Sequence, residues 1–589
     1  MKKIFYIILL FAIGVVFNSC EDELLEKTPR DQVSDPDFWQ SQGDLELYLN
    51  GLYDILPGWN TDGSAPSADL GTDIVIEAPR WWGGSYTKVL DGTVNVPASS
   101  AQFKISTDWP PIASIPTYLG GWDWRYIRMV NYFLDNASRV KTGSMVDHYI
   151  GEAHFFRAWF YFFLLRDFGE LPIITKVVGP DDEDLLSGPR KSRSEVADFI
   201  ISDLDIAISK MKIGSQAGVS RLNKDIASLF KARVCLYEGT WEKYHKASVF
   251  EGKTDGSAYL AKAAAAAKSV IDGGNYTIVT GNVDNAYYNL FVQTDYRNNK
   301  EVLLYKHYNS FTHGFGNSLW NWPSTQGATR EMTKNYLCTD GLPIAVSPLF
   351  KGDSTFSTIQ VNRDPRLNQS IIVPGELNYV ALNGSQVLFT MPFMDDCPTG
   401  YELEKWRIKS LDPLRTNQRT WDIGYIIFRY AEALLIYAEA RAELNQLTQA
   451  DVDLTINKLR ARVGMPNLVL SSIVTDPNWP KYGYTLPNYL YEIRRERVVE
   501  LFGEGFRFDD LMRWRAHNIF VGKRPTGVAY SDIKSKYPNV VVNAQGFVDP
   551  FKTYLRTGAY GFKPEKDYLR PLPLDELTLN KSLKQNPGW

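Results

Sequence analysis

The chain has 589 residues, 44% of them hydrophobic, enough to bury one large core or two to three ordinary ones. Its formal net charge is -4, with 64 Lys and Arg against 68 Asp and Glu, which argues against a nucleic-acid partner that would need a basic stripe. Aromatic residues make up 13%, including 16 Trp and 33 Tyr, a content suited to meeting ligands or partners through ring faces.

The N-terminus reads as an export signal over residues 1–19. Lys2 and Lys3 form its charged start, and the apolar run Ile4–Phe17 is too short to span a bilayer. Cys20, behind Asn18 and Ser19, resembles the acceptor of a lipoprotein signal, which would make it the lipidated N-terminus. Glu21, Asp22 and Glu23 resemble the acidic tag that directs such lipoproteins to the outer face of the cell. Residues 20–37 are then a tether. Cys235, Cys338 and Cys397 remain, allow at most one disulfide and match no metal spacing, so the fold must rest on its core.

Asp35-Pro36 suits a helix start, and Phe38, Trp39, Leu45, Leu49 and Leu52 keep a helical spacing through Leu56. Residues 57–121 lack a long period and are rich in Gly, Pro, Ser and Trp. They contain Arg80-Trp81-Trp82-Gly83-Gly84, and a loop of this length in a compact domain is usually functional. Helix is predicted over Trp122–Val140 and over Gly151–Pro172, whose Phe155, Phe156, Trp159, Phe160, Phe162 and Phe163 leave almost no polar face. Further helices are predicted over Ser194–Met211, Ile226–Trp241 and the Ala-rich Tyr259–Ile271, which stops at Gly273-Gly274. Thr277–Asp422 breaks this regime with short β-like runs such as Val302–Tyr305. Helices return over Ile423–Asn445, Leu454–Val463 and Leu486–Phe502, and the chain is extended from Asn543 onward. In Arg494–Trp514 a charged helix stops at Gly503-Glu504-Gly505 and a second begins at Phe506, a helical hairpin with ion-pair partners expected three and four residues apart.

Helix pairs with short links are the signature of stacked hairpins. Several stretches resemble the SusD/RagB family of nutrient-binding outer-membrane lipoproteins. They are Glu504-Gly505-Phe506-Arg507 with Asp510-Leu511 and Arg513-Trp514, and Phe428-Arg429-Tyr430-Ala431-Glu432-Ala433-Leu434-Leu435. Gly151-Glu152-Ala153 with Arg157-Ala158, Arg363-Asp364-Pro365-Arg366, and the terminal Gln585-Asn586-Pro587-Gly588-Trp589 complete the set. The resemblance implies a mostly α fold of stacked tetratricopeptide-like helix pairs, with an irregular, minor-β lobe carrying the ligand site. On that reading an N-terminal helical region spans residues 38–280. A C-terminal region spans 281–589, with a loop-rich lobe (281–422), helices (423–515) and an extended end. It also implies a partner, a TonB-dependent SusC-like transporter over which the lipoprotein sits as a lid.

A sugar ring offers a C–H face that stacks on an aromatic ring and a rim of hydroxyls that needs amides and charges. Arg80, Trp81 and Trp82 fit that need, because the following glycines let rings stand out of the loop. Trp320, Asn321 and Trp322 fit it too, since alternate positions of an extended segment share a side. Tyr287, Tyr288 and Tyr296, each beside Asn or Arg, are further candidates. The competing expectation for each ring is that it plugs the interface between lobe and helices; Trp159 is expected in the core, and Trp514 and Trp589 are expected to be structural. No HExxH, nucleophile elbow or phosphate loop is present, so neither catalytic residues nor a metal or cofactor is assigned. Asp181-Asp182-Glu183-Asp184 lacks the spacing of a calcium loop and reads as a solvated turn. The function expected is capture of oligosaccharide for a transporter. Peptide capture by the same fold, a surface glycosidase, and an adhesin with no transporter remain alternatives.

Overall fold

The computed structural model describes residues 38–59, 69–77, 85–100, 121–308, 326–381, 383–409 and 423–589. The export signal, Cys20, the tether and Asp35-Pro36 lie outside them. Among the described residues no helix is long and apolar enough to cross a membrane.

The first element is α1 (Gln42–Tyr53), which starts later than its hydrophobic spacing suggests. Ser41 caps it in a reciprocal box with Asp44, and Leu45, Leu49 and Leu52 are buried. Strand β1 (Val75–Glu77) and α2 (Ser85–Leu90) follow. Then come α3 (Arg125–Ala137), α4 (Val146–Phe168), α5 (Arg193–Lys210), α6 (Lys224–Tyr244) and α7 (Ser257–Asp272). Each packs on the next in sequence. Ser192 caps α5 with Glu195, and Asn223 caps α6 by accepting from the N–H groups of Asp225 and Ile226. From Phe155 to Phe168 every residue of α4 is buried, as an apolar helix wedged between neighbours must be.

The chain then leaves the stack. Strand β2 (Val302–Lys306), β3 (Gln326–Ala328), β4 (Leu377–Val380), β5 (Gln386–Leu388) and β6 (Tyr425–Arg429) form three antiparallel ribbons, β1–β3, β2–β6 and β4–β5. Residues 425–429 correct the predicted helix: Tyr425-Ile426-Ile427-Phe428 is β-branched and aromatic, and it pairs with Val302–Lys306. The helix resumes as α8 (Tyr430–Glu443), which packs on α7 and so continues the stack across the intervening lobe. Next are α9 (Gln449–Leu454), α10 (Ile456–Arg462), α11 (Asn488–Glu500) and α12 (Arg507–Arg513). The extended C-terminal segment carries one short helix, Leu574–Leu579.

Two apolar cores result, one within the helices and one within the lobe, and α11 belongs to both. Leu490 and Ile493 face the helical core, while Val498, Val499 and Phe502 face the lobe core. Its charged residues are not a solvated face. Arg494, Glu496, Arg497 and Glu500 are all buried, and most of their partners are remote in sequence rather than three or four residues away. Glu500 binds Arg366 at 3.0 Å, Arg429 at 2.7 Å and also Arg462. Glu496 binds Arg366 at 2.6 Å and Arg460 at 3.0 Å, and Arg494 reaches Glu443 at 3.1 Å. Glu504 joins Arg429 at 2.6 Å and Lys405 at 2.7 Å. The buried network through Glu496, Glu500 and Glu504 therefore stitches lobe to stack, because a buried charge is tolerated only when paired and hydrogen-bonded.

The remaining motifs are locks of the same kind. Glu152 takes a two-pronged bond from Arg221 at 2.8 and 2.9 Å, and Arg157 grips Asp203 with two bonds of 2.7 Å. Gly169 ends α4 at φ 73°, where an added Cβ would lie 2.9 Å from Leu569. Asn586 donates to the carbonyls of Phe168 at 3.1 Å and Arg570 at 2.7 Å, docking the C-terminus on the end of α4.

Candidate ligand-binding face

The ribbons determine where the loops leave the scaffold. In β1–β3, Glu77 pairs with Gln326, so the segment bearing Arg80, Trp81 and Trp82 departs from the same ribbon end that the segment bearing Trp320, Asn321 and Trp322 enters. Those six residues themselves lie outside the described ones. In β2–β6, Lys306 pairs with Tyr425, which brings together the start of segment 309–325 and the end of segment 410–422.

Trp59 ties in a further root. Its indole N–H donates to the carbonyl of Ile423 at 2.7 Å, its backbone N–H donates to the Tyr308 hydroxyl at 2.7 Å, and its ring meets Tyr425 edge-on at 5.1 Å. Lys306 closes the cluster by donating to the carbonyls of Leu56 at 2.9 Å and Asp54 at 3.1 Å. Trp59, Val75, Tyr305, Ala328 and Ile423 share the lobe core, so segments 60–68, 78–84, 309–325 and 410–422 are all rooted in or beside it.

Two of the predicted tyrosines are corrected. Tyr287 is fully buried: its hydroxyl donates to the Glu500 carbonyl at 2.7 Å and accepts from the Lys405 ammonium at 2.9 Å. Tyr296 is 1% exposed, packed edge-on to Tyr305 at 5.3 Å and against the Cβ-free side of Gly424. Neither offers a face to a ligand, and both fill the lobe. Tyr288 is half-buried, with its hydroxyl donating to the Arg407 carbonyl at 2.5 Å and the Lys409 ammonium 5.2 Å from its ring. Trp159 and Trp514 are core, as expected, and the Trp514 indole donates to Glu439 at 2.7 Å.

Lys405 is part of the scaffold, fully buried and donating to Tyr287, to the Phe502 carbonyl and to Glu504. Burial pulls its ammonium down to about 8, partly offset by Glu504. Burial alone would raise the Glu500 carboxyl, but Arg462, Arg429 and Arg366 hold it well below the usual carboxylate range.

The sequence reading passed over a cleft of about 940 Å³ near the other end of β1–β3, where Asp73 and Arg330 sit. Trp479 and Tyr491 line it, stacked 4.6 Å apart with planes 7° from parallel. The available signal was Pro477-Asn478-Trp479-Pro480-Lys481-Tyr482-Gly483, a loop with the same Pro, Gly and aromatic character as residues 80–84.

Residues 292–589 match the model of the SusD family, and residues 105–236 match one described as starch-binding associating with outer membrane. A SusD-like protein of Formosa agariphila, P38, is 26% identical over 518 residues, covering 86% of this chain and 90% of that one. A SusD-like carbohydrate binding protein from Bacteroides fragilis has a similar structure, with TM-score 0.69 and 22% identity, covering 93% of this chain and 100% of that one. A second SusD-like protein from the same organism has TM-score 0.68 and 23% identity, covering 96% and 100%. The likeness establishes the fold: stacked helix pairs carrying an irregular lobe.

Proposed function

This chain belongs to the SusD family, and from that premise we propose that it is a non-catalytic, lipid-anchored protein of the outer-membrane surface that captures oligosaccharide. It then hands the ligand to a TonB-dependent SusC-like barrel, with Cys20 as the lipid attachment point. The observation that carries this reading is that four loop segments are rooted in one lobe core, which α11 ties to the helical stack. Two of those segments hold Arg80-Trp81-Trp82 and Trp320-Asn321-Trp322, the residue types that stack on sugar C–H faces and bond hydroxyls. A rigid base lowers the entropy lost when such loops close on a ligand. The similar protein from Bacteroides fragilis described as carbohydrate binding supports a sugar over a peptide.

Calorimetry of the full chain against a panel of neutral oligosaccharides and peptides of matched size tests the reading. A Trp81→Ala, Trp82→Ala double variant is expected to lose about tenfold to a hundredfold in oligosaccharide affinity, the worth of two stacked rings. A peptide bound more tightly than every oligosaccharide would replace the ligand class, and release of free sugar from a bound glycan would replace capture with catalysis.

A further inference from the structure

The cleft beside Trp479 is lined by neither Glu77 nor Gln326, the described residues at the ribbon end from which the tryptophan segments leave. It lies toward the opposite end of β1–β3, between the loop preceding α11 and the residues that follow β3. Trp479 is the terminal plate of a column of rings. Behind it stand Tyr491, then Tyr482 at 6.1 Å, Tyr484 at a further 5.6 Å, and Tyr244 at a further 4.6 Å. The Arg494 guanidinium lies 4.7 Å from the Tyr482 ring and 4.9 Å from the Tyr244 ring, pinning the column from the side. The Trp479 indole N–H donates to Glu492 at 2.9 Å, which holds the plate's orientation. The indole is only half-buried, and among the described residues no other ring covers its outer face.

The charge of the cleft departs from that of the chain. Among the described residues eight cationic and four acidic side chains line it, although the whole chain carries -4. Three of the four acids are ion-paired, Asp73 with Arg507 at 2.6 Å, Asp353 with Arg330 at 2.7 Å and Asp476 with Arg495 at 2.5 Å, while Glu331 accepts from the Thr526 hydroxyl at 2.9 Å. Among the described residues Lys334, Lys481 and Lys523 have no carboxylate at ion-pair distance, and the Lys523 ammonium donates only to the Ile519 carbonyl. A preorganised indole plate beside ammonium groups that lack a direct ion-pair partner calls for a ligand with both a flat C–H face and a negative substituent.

We propose that this cleft is a second saccharide site, selective for an acidic sugar unit bearing a carboxylate or a sulfate. The ring of that unit stacks on Trp479, and its anion is held by Lys334 and Lys481. The site supplements capture at the loop face and rests on the reading of this chain as a saccharide binder.

The test is calorimetry of the full chain with oligosaccharides of one length in neutral, uronate and sulfated series, at low and high salt. At least one acidic series is expected to bind about tenfold tighter than the neutral one at low salt, an advantage that salt erodes. Trp479→Ala should weaken acidic binding about tenfold. A Lys334→Gln, Lys481→Gln double variant, which leaves the ring column intact, should erase the acidic preference, whereas Trp81→Ala, Trp82→Ala should preserve it. The two acidic series report which anion is recognised. Equal binding of neutral and acidic series, or an acidic preference that survives the lysine substitutions, overturns the proposal. If neutral binding is meanwhile retained and depends on Trp81 and Trp82, the capture reading stands and only the second site falls.

Discussion

At the scale of single residues, the outcome hinges on which charges and rings lose their water. Arg494, Glu496, Arg497 and Glu500 have the spacing of a solvated helix face, yet all are buried and most of their partners lie 30 or more positions away. Glu500→Gln would leave Arg366, Arg429 and Arg462 without their shared counter-charge. Breaking a buried pair costs about 3–5 kcal/mol, whereas the exposed Lys268–Asp272 pair is worth under about 1 kcal/mol. Urea denaturation of Glu500→Gln beside Asp272→Asn measures that contrast. Comparable small losses in both would mean that the network is not the seam described. The same local ambiguity hid the fate of Tyr287 and Tyr296. Each sits in an aromatic stretch of sequence beside Asn or Arg, and nothing local says that Lys405 and Tyr305 will cover them.

Among the elements, punctuation was easier to read than pairing. Gly503 and Gly505 stop α11 where the sequence indicates, and both adopt the left-handed region, with φ of 79° and 87°. The tight turn they form lets Asp69 accept from the backbone N–H groups of Gly503 and Arg507, each at 2.8 Å, so the lobe also caps α12. Gly505→Ala places a Cβ in that conformation and should cost about 1–2 kcal/mol, read as a lowered thermal midpoint. An unchanged midpoint would show that the turn relaxes freely. The buried α4 was evident because the fourteen positions from Phe155 to Phe168 offer no continuous polar stripe. Residues 425–429 were not, because an apolar run of four, Tyr425 to Phe428, running into a helical period fits a strand or a helix turn equally well. Only the arrival of Val302–Lys306 decides it.

Across the whole molecule, buried carboxyls with opposite shifts give a pH profile. Burial pushes Asp69 and Glu404 up to about 7 and Asp509 up to about 6. Between the ordinary carboxylate range and those values the folded state holds these protons more tightly than the unfolded chain does. Their contribution is present at lower pH and is lost as pH rises through 6 to 7. His245, held at about 3 by burial, works in the other direction with one proton. Glu500, depressed by its three arginines, loses its contribution only in strong acid. The thermal midpoint should therefore rise as pH falls from about 7.5 to about 5, then drop steeply at much lower pH. A midpoint that climbs steadily from pH about 5 to about 7.5 would contradict this balance.

The chain's own order of residues determined the helical stack, the glycine stop after α11 and the family to which the chain belongs. Each of these depends on spacing over a few to a few tens of positions. Tertiary structure alone decided that the family motifs are buried locks rather than binding residues, that Tyr287 and Tyr296 are filler, and that Trp479 caps a ring column over a cationic cleft. Exposure and charge compensation depend on segments hundreds of positions apart, and no local period records them.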